Sequence, residues 1–364
     1  MEYKALKEIA KITMGQSPDS SSYNEDGDGM PFFQGNADFG EIYPNERIWC
    51  NDPKKTAEPG DILISVRAPI GALNYAKDRC CIGRGLAAIT IDDEAERNYV
   101  FHLLKAKNSD LNNQGTGSTF KAIGKAVLED VQVPQISREE QQKCMDMMDL
   151  LESIIRERRA QLSSLDELIK ARFVELFGNP IINSEDLPTM PMTEVCEIID
   201  GDRGKNYPTA EEFSDDGYCL FLNAKNVTAS GFNFDNCMFV SKEKDEALRK
   251  GKLSRGDVVL TTRGTLGNLA FYTNEVPFEN VRINSGMVIL RMKQDVVDEV
   301  YFIEQFKLQL DDIKEKIASG SAQPQLPIST MNKIQVLVPD IDRQRKFADF
   351  SKKVDKSKVV VQKS

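Results

Sequence analysis

The chain has 364 residues, 40% hydrophobic and 29% charged, with a mean hydropathy of −0.41, which supplies two ordinary cores and a water-facing surface but no apolar run of membrane-spanning length. A formal net charge of −10 and a pI near 5.0 argue at first against a nucleic-acid partner, because phosphates are met by Lys and Arg. The single histidine excludes metal sites built on His clusters, and seven scattered cysteines, with only Cys80 and Cys81 adjacent, fit reduced thiols in a cytoplasmic chain that opens on charged sequence rather than a signal peptide.

In chain order, residues 31–34, 61–66 and 86–91 predict short apolar or alternating strands. A helix from Tyr99 to Asn108, a Gly117-Ser118 loop and a strand at 131–133 follow. The segment Ser137 to Phe177 differs in kind. It contains no Gly or Pro, opens with the capping box Ser137-Arg138-Glu139-Glu140 and stops at Gly178-Asn179-Pro180. At 1.5 Å per residue it is a helix of roughly 60 Å. Met148, Leu151, Ile155, Leu162, Leu165, Ile169 and Leu176 fall on alternating three- and four-residue steps, a coiled-coil seam in which Arg158 and Arg172 take two polar turns. Strands at 218–222, 257–262 and 286–291, a helix from Val300 to Ala318 and a strand at 334–338 come next. Phe347, Phe350, Val354 and Val361 then restart the same stepping.

The second series echoes the first, about 200 residues on. Gly60-Asp61-Ile62-Leu63-Ile64-Ser65-Val66-Arg67 matches Gly256-Asp257-Val258-Val259-Leu260-Thr261-Thr262-Arg263. Gly117-Ser118 matches Gly320-Ser321, and Val131-Gln132-Val133-Pro134 matches Ile334-Gln335-Val336-Leu337-Val338-Pro339. A repeat of this length is a duplicated domain, not a solenoid unit. The expected fold is α+β: two tandem α/β domains at 1–135 and 181–338, separated by a spacer helix at 136–180 and followed by a shorter one at 339–364. Antiparallel pairing of the helices would set the domains at opposite ends of a rod. The second helix ends at Ser364, level with about Gln161 of the first. A naturally short helix, a truncated chain and a pairing completed by another subunit all remain open.

Net charge is not local charge. Lys242 to Arg263 holds seven Lys/Arg against four Asp/Glu, and Lys105 to Lys125 four against one, so each repeat carries a stretch able to form a basic face. Catalytic patterns are missing. Asn179-Pro180 is followed by Ile181, unlike an Asn-Pro-Pro-aromatic methyltransferase motif, and Gly115 to Lys121 lacks the Gly-Lys-Ser/Thr ending of a phosphate-binding loop. His102, among Phe101, Leu103 and Leu104, reads as a structural imidazole rather than a triad member.

The matched Gly-Asp strands ending in Arg67 and Arg263 and the Gly-Ser loops are two parts of a recurring pattern. The helix start at Pro134 to Gln141 and the ending Phe173 through Phe177-Gly178-Asn179-Pro180 complete it. Together they resemble the DNA-specificity subunits of type I restriction-modification systems over the whole chain, the short second helix being the one departure. The resemblance implies two target-recognition domains joined by an antiparallel coiled coil, with no catalytic residue, metal or cofactor in this chain. It implies binding to double-stranded DNA at a bipartite, asymmetric target with a fixed gap. Two modification subunits would carry S-adenosylmethionine for adenine methylation, restriction subunits would use ATP and Mg, and no membrane is involved. The alternative is a coiled-coil adaptor that binds proteins without DNA specificity.

Chemistry and position nominate the DNA-facing residues. Gln34 and Asn36 follow an apolar strand into a loop, as Asn223, Lys225 and Asn226 do in the second copy, and amides there pair bidentately with adenine. Arg67 and Arg263 either fork onto guanine or phosphate, or pin the turn that follows them. Residues that differ between the copies are better placed to read different bases: Asn74, Lys77, Arg79 and Arg84 against Asn268 and Arg282. Ser118, Lys121, Ser321 and Gln323 lie in loops suited to phosphate.

Overall fold

The computed structural model describes residues 2–117, 121–318 and 325–363. It divides into two compact units, Met1–Arg156 and Glu157–Ser364.

In the first unit an antiparallel sheet runs in the order Lys11–Met14, Leu86–Thr90, Ile62–Ser65, Leu73–Tyr75. Ile62–Ser65 is buried along its whole length because side chains alternate between faces and both faces are covered. Ile62 and Ile64 enter a core with Ile89 and with Val100 and Leu104 of the helix Glu94–Ala106, while Leu63 joins Phe33, Ile82 and Ala88 in a second core. That second core is roofed by Met30–Phe33, which runs parallel to Cys80–Ile82 and antiparallel to Trp49–Cys50. Phe32 and Phe33 are buried, whereas Tyr43 is 46% exposed.

The second unit repeats this plan. Its sheet runs Cys196–Asp200, Met287–Met292, Val258–Thr261, Leu269–Phe271. Val258 and Leu260 face a core with Phe302 and Phe306 of the helix Glu299–Ala318, and Val259 faces another with Leu220, Leu222 and Ile283. Cys219–Leu222 runs parallel to Val281–Ile283 and antiparallel to Phe239–Val240. The register pairs Phe33 with Ile82 and Leu222 with Ile283, so the copies align residue by residue at this strand pair.

The central helix spans Arg138–Phe177. Glu140 accepts the Ser137 backbone N–H at 2.9 Å and its hydroxyl at 2.8 Å, closing the expected capping box, and Gly178 ends the helix at φ +71°. In the first unit Met145 enters the core. In the second unit Ile169, Phe173 and Phe177 are buried, with Leu165 and Leu176 packed beside them. The partner there is the closing helix Ile341–Lys363. Phe347 lies 5.3 Å from Phe173 and 5.8 Å from Phe177 between ring centroids, Arg172 covers Phe350, and Lys358 meets Asp166 at 2.6 Å. Rising numbers on one helix meet falling numbers on the other, so the two run antiparallel. Val354 is buried in this contact, Phe350 is half-buried, and Leu162 is half-buried further along the central helix. At the beginning of the expected seam Met148, Leu151 and Ile155 are 39%, 48% and 50% exposed in the single chain. Toward Phe177 the seam shifts onto Phe173 and Phe177, because the closing helix offers Phe347 there.

Candidate nucleic-acid interface

The first unit's strand Met30–Phe33 delivers Gln34 and Asn36 into a cleft of about 560 Å³ that also holds Arg47, Arg67 and Arg84, with Glu25 and Asp38 as its acids among the described residues. Three cations against two anions make this patch basic on an acidic chain. Arg84 is brought there by glycines. A Cβ on Gly85 would lie 2.4 Å from the Gln34 carbonyl oxygen and one on Gly83 3.0 Å from Gln34 Cα, so only Gly83-Arg84-Gly85 lets the two segments touch. The Arg84 side chain is exposed and has no polar partner among the described residues.

Hydroxyl side chains hold the turns that follow Arg67 and Arg263. Ser65 Oγ donates to the Pro69 carbonyl at 2.6 Å and accepts the Ala72 N–H at 3.1 Å, and Thr261 Oγ1 makes the equivalent bonds to Thr265 and Asn268. Arg67 and Arg263 are left exposed, without polar partners among the described residues. The Ala68 N–H donates to the Lys121 carbonyl at 3.1 Å, which places exposed Lys121 beside Arg67. Ser118, Ser321 and Gln323 lie outside the described residues.

In the second unit the equivalent loop lines a cleft of about 650 Å³ with Asn223, Lys225, Asp215 and Asp235. The register aligns Gln34 with Asn223 and Asn36 with Lys225. Val66 N–H to Gly85 and Thr262 N–H to Gly286, at 2.9 and 2.8 Å, align Arg84 with Ser285.

Four nominated residues are corrected by burial or by their bonds. Asn74 is 1% exposed and bonds Gly40 in both directions. Asn226 is fully buried, accepting from the Asn223 N–H and donating to the carbonyls of Asn233 and Asn236. Arg282, 5% exposed, is ion-paired to Asp245 and donates to the carbonyls of Lys250 and Leu248. Burial raises the Asp245 carboxyl, but Lys252 and Arg282 outweigh it and hold the group below its ordinary value. Half-buried Asn268 donates to the Val227 carbonyl at 3.0 Å. Asn74, Asn226 and Arg282 present no free edge to a ligand, and the Asn268 amide nitrogen is turned to the fold. Lys77 and Arg79 are exposed but precede Cys80–Ile82, the opposite end of that strand from Arg84, and Arg79 pairs with Glu58 at 3.1 Å.

Part of the two basic stretches is paired internally: Lys244 with Glu212, Lys252 with Asp245, Lys105 with Glu152 and Lys125 with Glu129. Asp38 and Arg47 escaped the sequence reading because only the pairing of Met30–Phe33 with Trp49–Cys50 brings Arg47 to the cleft. Burial pushes the thiols of Cys80, Cys196 and Cys219 up to about 12 and that of Cys81 to about 11, which suits packing rather than nucleophilic work. Among the described residues no cluster of His, Cys, Asp or Glu could hold a metal ion, and no helix is long and apolar enough to cross a membrane.

Comparison with known proteins agrees with the duplicated plan. The model of the type I restriction modification DNA specificity domain matches residues 1–164 and again 184–363. A putative type I restriction enzyme MjaX specificity subunit of Methanocaldococcus jannaschii is 43% identical over 161 residues, 44% of this chain and 38% of that protein. The match therefore spans well under half of that relative. The MjaIX specificity subunit of the same organism is 24% identical over 95% of this chain and 84% of its own length. The crystal structure of a type I restriction-modification S subunit from M. genitalium shares the fold, with a TM-score of 0.53 at 17% identity over 100% of this chain and 91% of that one. With its domain present twice, the chain belongs to the type I restriction modification DNA specificity domain family.

Proposed function

We propose that this chain is the non-catalytic, sequence-specific DNA-binding subunit of a type I restriction-modification complex. It reads a bipartite, asymmetric duplex target and directs adenine methylation and restriction to it. One observation carries the reading: two clefts at the same topological position, after Phe33 and after Leu222, are lined by different side chains.

A compact domain reaches a few base pairs through one groove face, with base contacts specifying and phosphate contacts positioning. Arg67 and Arg263, common to both copies, suit phosphate, joined in the first copy by Lys121. The positions that differ, Gln34 against Asn223, Asn36 against Lys225 and Arg84 against Ser285, suit bases. Two unlike clefts on one chain then read two unlike half-sites, and their specificities multiply. The central helix joins the units covalently, and its antiparallel packing with the closing helix supports a coiled-coil spacer that fixes the gap. Modification subunits supply S-adenosylmethionine, restriction subunits supply ATP and Mg chemistry, and the complex works in the cytoplasm.

The test is to express the chain with its modification subunits in a host free of other adenine methylation and sequence the methylated adenines. The expected result is one motif of two unlike halves around an unspecified gap. A continuous motif, or methylation by the purified chain alone, would refute the reading.

A further inference from the structure

The loop that carries Gln34 and Asn36 is held by a charge. Asp38 Oδ2 accepts the backbone N–H of Gln34 at 2.7 Å and of Gly35 at 3.3 Å, while Oδ1 accepts from Arg47 Nη2. The same Nη2 also donates to the Ala37 carbonyl at 3.0 Å. Arg47, two residues before the neighbouring strand Trp49–Cys50, therefore reaches across and ties the Ala37 carbonyl and the Asp38 carboxylate together. Its Nη2 carries two protons and both are taken. A guanidinium offers a two-pronged fork either through Nη1 with Nη2 or through Nε with Nη2, so Arg47 cannot fork onto a guanine edge without letting go of the loop. Arg67 and Arg84, in the same cleft, keep their full forks.

The second unit solves the same problem without charge. There Asn226 Oδ1 accepts the Asn223 N–H at 2.9 Å, and its amide is anchored inward to Asn233 and Asn236, both at 3.0 Å. The position aligned with Arg47, one residue before the Ile48 and Met238 carbonyls that accept from Phe32 and Phe221, is Cys237. One loop is thus set by a surface ion pair in which the Arg47 side chain is 58% exposed, the other by a fully buried amide.

We propose that Asp38 and Arg47 form a positioning pair that sets base selection in the first half-site alone, with Asn226 as its neutral counterpart for the second. This rests on the DNA-reading function above. An exposed ion pair adds little to global stability, but holding Gln34 and Asn36 in one geometry removes the ordering cost from the bound state and denies the loop alternative poses that would suit wrong bases.

The experiment compares methylation motifs made by the full chain, assembled with its modification subunits, carrying Arg47→Ala, Arg47→Lys or Asp38→Asn. Arg47→Ala is expected to raise methylation at sites bearing one wrong base in one half of the motif about tenfold, with the other half unchanged. Asp38→Asn keeps an acceptor for Gln34 but loses the charge, and should reproduce that pattern; Arg47→Lys, which keeps the positive charge on a shorter, non-planar head group, should restore part of the selectivity. The intact half serves as an internal control for folding and assembly. An unchanged motif, simultaneous relaxation of both halves, or loss of all methylation in Arg47→Ala would overturn the proposal. Failure of the unsubstituted chain to give a bipartite motif would instead overturn the function on which it rests.

Discussion

Replacing Arg84 by the residue at its aligned position, Arg84→Ser, separates reading from clamping. The side chain makes no internal bond among the described residues, and its backbone N–H keeps Ser17 Oγ at 3.3 Å, so the fold should be indifferent to the change. If Arg84 forks onto guanine, losing it removes about 1–3 kcal/mol of discrimination, roughly 5- to 150-fold at one base pair. If it clamps phosphate, affinity falls evenly across sequences and the salt slope drops by about 0.9, worth roughly 3.5-fold between 50 and 200 mM salt. Competition binding of the assembled complex to the target and to every single-base variant of each half-site, at both salt concentrations, distinguishes the two. Because Arg84 differs between the copies, the account expects the base-specific pattern, confined to one half-site. Unchanged selectivity together with an unchanged salt slope would refute placing DNA in this cleft.

Other consequences follow from the packing. Phe173→Ala empties a fully buried site stacked on Tyr301 and edge-on to Phe347 and should cost about 3–5 kcal/mol, lowering the melting temperature by roughly ten degrees; a shift under two degrees in calorimetry would contradict the aromatic seam. The Arg138 guanidinium, and then the Glu96 N–H, hold Asp93 down from 3.8 to about 2. A lowered folded value stabilises the first unit above pH 3.8 and is lost as pH falls toward 2, so Asp93→Asn should flatten acid unfolding in that window, followed by circular dichroism. Four residues inserted after Glu157, between Met145 in the first core and Leu165 at the seam, lengthen the helix by about 6 Å and should favour a gap one or two base pairs longer, read from the methylated motif. An unchanged gap would remove the helix as spacer.

Much of this architecture was legible because the apolar runs Ile62–Ser65 and Val258–Thr261 are buried on both faces and leave an unmistakable signal, twice. The roofing strands were harder to see. Cys80–Ile82 is three residues long, and its counterpart Val281-Arg282-Ile283 carries a charge at its centre that only the distant Asp245 explains. Polar residues in loops were the weakest guide: Asn36 lies in a cleft and Asn226 inside the fold, though both follow an apolar strand, because what separates them is the path of the next loop. The stepping coincides with burial at Leu165, Ile169 and Leu176, where the closing helix packs, whereas Met148, Leu151 and Ile155 are exposed in the single chain, a difference that periodicity alone does not carry.

Photocrosslinking from a benzoylphenylalanine placed at Asn36 in one variant and at Lys225 in another tests the central claim most directly. The complex is bound to a duplex carrying the mapped target, and the crosslinked bases are read by primer extension. Two unlike clefts on two unlike half-sites predict crosslinks to opposite halves of the motif, one per position. Crosslinks from both positions to the same half, or to flanking DNA alone, would contradict it.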